Sequence, residues 1–292
     1  MNNILNNLQE EFIKETIQNK LIYINSIIFL IFSILDVFSF MFQFNIEPII
    51  NKLCLPTSFH TLIKQPWSFI SYMFLHNGFL HLLFNMIWLH VGGKLFLQYL
   101  NPKQLLSTYI LGGLFGGITL IIAYNYIPVF KPLAKEAIAI GASASVFAIM
   151  VAIATYAPNY ALKFPLIGFL KLKYIAIFMV FIDILSIPKG NAGGHIAHLG
   201  GAIFGYIYIK KLQKGKDLSI DFFYIFNIIK NTFKIKKPFK KVYKRPKSDY
   251  EFNSEKSKNK KQVDEILEKI AKSGYESLNK EEKAILFSAS KK

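Results

Sequence analysis

The stretch "IAIGASASVFAIMVAIA", Ile138 to Ala154, sets two serines, Ser143 and Ser145, in an apolar run opened by Gly141. Small residues of this kind let membrane helices approach closely, and a helix hydroxyl can bond back to its own backbone carbonyl. Packing therefore accounts for the stretch on its own. The rest of the chain decides whether a buried hydroxyl here has chemistry to do.

Hydrophobic residues make up 52% of the 292-residue chain and charged residues 18%, below the ~25% charged of ordinary soluble domains. Between about Leu21 and Ile209 charges are sparse. Apolar runs there approach the ~20 residues that cross ~30 Å of hydrocarbon. Six spans are predicted, at roughly 21–43, 78–99, 104–127, 142–157, 171–187 and 193–210. The expected fold is all-α, a polytopic six-helix membrane bundle with a small helical tail. The first twenty residues are polar and mildly acidic, unlike a cleavable signal peptide.

From Lys210 to Lys292 there are 23 Lys/Arg against 11 Asp/Glu, and the whole chain carries +17. Lys103, Lys163, Lys171 and Lys173 make the loops after spans two and four basic as well. The positive-inside rule puts these segments, and with six spans both termini, on the cytoplasmic side, as in a bacterial inner membrane. Spans two, four and six then run from the outer face inward. The segment "DFFYIFNIIKNTFKIKKPFKK" (221–241) interleaves aromatics with lysines and reads as lying on anionic lipid; its charge calls for no nucleic acid.

The domains expected are a cytoplasmic segment 1–20, a membrane domain 21–212, a basic juxtamembrane segment and linker 213–260 and a helical hairpin 261–292. "FNSEKSKNK" (252–260) reads as polar linker. In the hairpin Val263, Ile266, Leu267 and Ile270 fall at helical spacing, Gly274 is a stop, and Asn279 with Glu282 resembles a capping box. The single Cys54 has no partner for an intramolecular disulfide and reads as a surface or loop thiol.

Polar residues inside the spans carry the functional signal. "HNGFLHLLFNMIWLH" (76–90) puts His81 and Asn85 four apart on one helical face near the outer end of span two. "GGHIAHLGGAIFG" (193–205) puts His198 in the second turn of span six. Gly194, Gly201 and Gly205 fall within about 60° of it, on a face stripped of side chains. Ser143 opens span four. All three spans thus carry their unusual polar residues at one depth, roughly 5–10 Å below the outer surface by helix rise.

A histidine in hydrogen-bond reach can take a serine's proton and later hand it to a leaving amine. The Ser143 N–H is free in the first turn of its helix, and His81 and Asn85 add side-chain donors for an oxyanion. A Ser–His dyad with such a hole suffices for a hydrolase. Other protease classes fit less well. Asp36 and Asp183 lie inside spans, but "VFIDILS" lacks the glycine-flanked motif of an aspartyl intramembrane protease. No histidine is followed by glutamate, so HExxH is missing. No metal and no cofactor is expected.

Gly141-Ala142-Ser143-Ala144 resembles the GxSx motif of the rhomboid family of intramembrane serine proteases. His81 to Asn85 matches that family's HxxxN, and Ala197 to Gly205 its AHxxGxxxG, in the family's order and over about residues 20–212. The resemblance implies Ser143 as nucleophile, His198 as base, and His81 and Asn85 as oxyanion helpers. It implies Phe147, one turn after the serine, as the aromatic that stacks on the imidazole, with Gly141 and Gly201 packing the site. Substrates would be single-span or other membrane proteins. Departures are Ala144 where many members have glycine, Phe96 in place of a glutamate after Gly92-Gly93, and Gln65-Pro66-Trp67 where a Trp-Arg pair is frequent. The alternative on the same fold is a catalytically silent protein that binds membrane clients; silent relatives typically lose the serine or the histidine, and both are present. His195 reads as structural, His76 and His90 as interfacial, His60 as a solvated loop residue, Ser145 as packing, and Asp183 as bonding a loop or neighbouring helix.

Overall fold

The computed structural model describes residues 10–164, 168–232 and 248–289. Six helices occupy the predicted spans: α1 (Ile17–Phe42), α2 (Phe79–Tyr99), α3 (Pro102–Tyr126), α4 (Ser143–Tyr156), α5 (Leu172–Ser186) and α6 (Ala192–Gln213). Their starts are chemically marked. Thr16 caps α1, Asn101 with Pro102 and Gln104 forms a capping box on α3, and Asn191, at φ 48°, accepts from the Gly194 N–H to open α6. Asparagine tolerates that left-handed conformation better than most residues.

Among the described residues three helices, α1, α2 and α3, are long and apolar enough to cross a membrane by length and composition. On α1, Ile27, Leu30, Ile31, Ile34 and Phe38 are exposed, and only 11% of its apolar window is buried. Such an apolar surface is at home in hydrocarbon rather than water. The inner face of α1 is tied to the bundle by polar bonds, from Gln18 to the His90 carbonyl (2.9 Å) and from Asn25 to the Tyr109 hydroxyl (3.1 Å). Helix α4 has the opposite character. At 14 residues it is about 21 Å long, but it is almost wholly buried among α2, α3, α5 and α6. A central helix faces protein rather than lipid and does not need the full length of a span.

A seam of small residues brings α3, α4 and α6 together. A Cβ built on Gly201 would lie 2.1 Å from the Ala144 carbonyl oxygen, and one on Gly205 2.2 Å from that of Ala148. One on Gly112 would lie 2.3 Å from the Ala148 Cβ. Backbone thus meets backbone across α4 and α6, as the glycine stripe on the face of His198 predicts. Ser143 stands beside Ala144 and His198 one turn before Gly201, so this contact fixes how the two present their side chains.

Two small sheets were not expected from the sequence. β1 (Leu55–Pro56) pairs antiparallel with β2 (Ile138–Ala139), and β3 (Ala161–Phe164) with β4 (Gly168–Lys171). Strands this short leave no alternation to read. The first pair joins the loop after α1 to the segment that delivers Ser143, and Thr57 reinforces it by donating to the Ala134 and Ala137 carbonyls. In the same loop Trp67 donates to the Lys52 carbonyl at 2.8 Å. Cys54 is fully buried rather than a solvated thiol, and burial pushes its pKa up to about 11.

A further helix, α7 (Leu218–Thr232), covers the first half of the aromatic–basic segment; residues 233–247, and with them the rest of the proposed lipid-binding stretch, lie outside the described residues. Asp217 receives hydrogen bonds from Gln104 of α3, Tyr208 of α6 and the Ser219 N–H. Burial alone would raise its carboxyl, but these donors outweigh burial and hold it below the usual range. The described residues fall into two compact units divided at Phe233/Lys234. In the second, α8 (Asp249–Ser273) and α9 (Lys280–Ala289) form the hairpin. The linker expected over 252–260 is instead helical, part of α8. Ser248 and Glu251 close a capping box ahead of it, and no Gly or Pro interrupts the run up to Gly274. Gly274, at φ 78°, ends α8, and Asn279 and Glu282 exchange the two bonds of the second capping box.

Candidate active site

One cavity of about 830 Å³ collects residues from all the elements that the sequence singles out. Ser143, Gly141 and Phe147 line it from the start of α4, His81 and Asn85 from α2, and His198 from α6. Asp183 of α5 lines it too, whereas Asp36, exposed on α1, does not. The two intramembrane aspartates therefore form no aspartyl pair. Gly201 lies outside the lining and acts through the α4–α6 contact.

The approach to Ser143 is built from backbone. Gly141 takes φ 130°, a conformation that side chains rarely adopt. Its N–H donates to the Tyr72 carbonyl at 2.9 Å, and the Tyr72 hydroxyl donates to the Gly113 carbonyl at 2.6 Å. A Cβ on Gly141 would lie 2.9 Å from His81 Nε2 and 3.6 Å from Ser143 Oγ. Only a residue without a side chain leaves room here for the imidazole of His81. Ser143 is the first residue of α4, so its N–H lacks an intrahelical partner and the helix dipole favours negative charge there.

The two site histidines are held in different ways. At His81, Nδ1 accepts from the Asn77 backbone N–H at 3.3 Å. A neutral ring that accepts at Nδ1 carries its proton on Nε2, so the nitrogen beside Gly141 and Ser143 is a donor. Asn85, buried, spends one Nδ2 hydrogen on the His81 carbonyl at 2.8 Å, and among the described residues the other has no partner. At His198, Nδ1 lies 3.1 and 3.3 Å from the two carboxylate oxygens of Asp183. Phe147 stacks on the His198 ring, centroids 4.5 Å apart and planes 14° from parallel. Edge and face of this imidazole are both fixed.

Among the described residues no hydrogen bond joins Ser143 Oγ to His198, although such a bond is the expectation for a dyad; hydrogen bonds of this type are often long before substrate binds. Asp183 and His195 are the residues that sequence reasoning left without a role at the site. His195 Nδ1 also bonds Asp183 Oδ1, which makes the carboxylate a hub for two histidines. The signal was present as an acid in an apolar helix and the His195–His198 spacing of one turn. The pairing between α5 and α6 needed the fold. These three side chains offer ligand atoms within 4.8 Å of one another, near enough to share a divalent cation, but hydrogen bonds to one carboxylate explain each contact. His76 is buried, edge-on to the His81 ring at 5.2 Å. Burial, then the nearby His81, pushes its pKa down to about 4. Ser145 is buried as packing.

Comparison with known proteins agrees with this architecture. Residues 248–292 match a family of unknown function (DUF6576). Over 141 residues the chain is 30% identical to presenilin-associated rhomboid-like protein A, mitochondrial, of Danio rerio. That alignment takes in 47% of this chain and 35% of the relative, so the chain spans about a third of the relative's length. Residues 64–214, just over half of the chain and the part that holds Ser143, His198, His81 and Asn85, match the rhomboid domain: the chain is an integral membrane protein and belongs to the rhomboid family.

Proposed function

We propose that this protein is an intramembrane serine endopeptidase that cuts membrane proteins near the outer end of a transmembrane helix. The observation that carries the reading is the single cavity shared by Ser143, His198, His81 and Asn85. Ser143 Oγ attacks the scissile carbonyl while His198 Nε2 takes its proton. The Ser143 N–H, His81 Nε2–H and the free Asn85 Nδ2–H hold the oxyanion. Collapse passes the proton from His198 to the leaving amine, and water, deprotonated by the same imidazole, releases the acyl group. With six spans and the lysine-rich segments on the cytoplasmic side, α4 starts on the outer half of the membrane and both termini lie inside.

The reading fixes where substrates are cut. A helical peptide bond is shielded by its own ladder, so the segment must unwind to reach Ser143, and Gly, Pro or polar residues near its outer end ease that. The small residues Gly141 and Ala144 beside Ser143 go with an expected preference for a small side chain before the cut. Apolar Phe84 and Trp88 of α2 and Phe178 and Ile182 of α5 are also in the lining and suit a lipid-soluble chain. A single-span reporter, with its products mapped by mass spectrometry, should be cut at the outer end and more slowly once helix formers replace the unwinding residues. Cuts at the cytoplasmic end would sink the proposal. Binding without any cut would favour the silent alternative.

His81→Ala and Asn85→Ala test the oxyanion assignment. Loss of one donor costs about 10²–10³ in rate, softened where another donor remains. Both variants should lower kcat with little change in KM and keep Ser143 reactive in a folded protein. Unchanged turnover in both would remove these side chains from the reaction.

A further inference from the structure

We propose that Asp183 is a positioning residue for the reaction, holding His198 in the tautomer and orientation that leave Nε2 free to act as base; this rests on the protease reading above. An ionised carboxylate only accepts hydrogen bonds. Both of its oxygens lie within 3.3 Å of His198 Nδ1, so Nδ1 carries the proton and Nε2, on the far side of the ring, keeps its lone pair. A Ser–His pair without such a partner leaves the imidazole to choose between tautomers, of which only the one with a bare Nε2 can act as the base. The carboxylate also stabilises the imidazolium that forms when Ser143 gives up its proton. Its burial strengthens that effect, because the Asp183 side chain is only 7% exposed and the local dielectric is low.

His195 completes the arrangement. It donates from one turn earlier on α6 to the same Oδ1 that faces His198, which keeps a second donor on the acid. Asp183 thus crosslinks α5 to two successive turns of α6. Among the described residues the charged and titratable groups facing His198 are Asp183 from α5, His195 from its own helix and His81 from α2. Asp183 alone among them supplies negative charge.

Asp183→Asn keeps the shape, removes the charge and offers an NH₂ group that draws the imidazole proton to Nε2. In full-length protein in detergent it should lower kcat by about 10²–10⁴, the scale of the matching change in a Ser–His–Asp protease. KM should change little against the fall in kcat, and Asp183→Glu should restore part of the rate. A merely structural aspartate would shift none of these in a variant that still folds. Nitrogen NMR of histidine-labelled wild-type protein needs no variant: it should show His198 protonated at Nδ1 and bare at Nε2 above its titration. A folded Asp183→Asn protein with near wild-type kcat, or an Nε2-protonated His198, would overturn the assignment. Wild-type protein that neither cleaves nor reacts at Ser143 would instead defeat the protease reading, with the NMR tautomer still deciding what Asp183 does.

Discussion

Replacing Ser143 by alanine is expected to abolish peptide-bond cleavage and covalent labelling by a fluorophosphonate, a loss on the order of 10⁴–10⁶ in rate, while the bundle stays folded. The stability half of this expectation follows from place. Ser143 is the first residue of α4, only half-buried, and among the described residues its hydroxyl makes no hydrogen bond to His198, so the substitution breaks no such bond and leaves no large cavity. Alanine is also a good helix former. Ser145→Ala is the matched control. Its hydroxyl is fully buried, with no partner among the described residues, on the side of α4 that faces Gly113. Removing it should cost no activity. Measured together by reporter cleavage and probe labelling, the pair separates a nucleophile from a packing hydroxyl two residues away. A Ser143→Ala protein that still cuts at near wild-type rate would end the catalytic reading.

What the sequence made legible was set by period and by chemistry. The six helices lie close to the predicted spans because uninterrupted apolar runs and marked ends, such as Asn101-Pro102 and Asn191, leave little freedom in where a helix starts. His81, Asn85, Ser143 and His198 were legible because polar groups in hydrocarbon are costly and therefore conspicuous. The β1–β2 pair was not, since two-residue strands from segments some eighty residues apart have no local signature. The helical character of 252–260 was hidden by composition: lysine, glutamate, serine and asparagine serve a solvated helix as well as a linker. Asp183 was visible but unassignable. Its partners lie on the next helix, and nothing in spacing says which face of α5 meets which face of α6.

Gly201→Ala is expected to be strongly damaging, through geometry rather than chemistry. The added methyl would sit 2.1 Å from the Ala144 carbonyl oxygen and 3.2 Å from the Ala144 Cα. Backbone cannot swing aside as a flexible side chain can, so α4 and α6 must separate. Overpacking of this kind costs about 1–3 kcal/mol, and a displacement of about 1 Å between reacting groups can cost 10²-fold in rate. Cleavage and probe labelling should therefore fall at least 10²-fold together, with a lower Tm in detergent. The identity of the obstructing atom makes the test sharper. At Gly201 it is a carbonyl oxygen, so Ala144→Gly cannot relieve it. At Gly112 it is the Ala148 Cβ, at 2.3 Å, with the next neighbour, Phe204 Cδ1, at 3.7 Å. Gly112→Ala should be damaging alone and largely rescued by Ala148→Gly, whereas Gly201→Ala with Ala144→Gly should remain inactive. Rescue in both pairs, or wild-type Tm and labelling in Gly201→Ala itself, would mean that α4 and α6 are not locked backbone to backbone and that the placement of Ser143 against His198 has another origin.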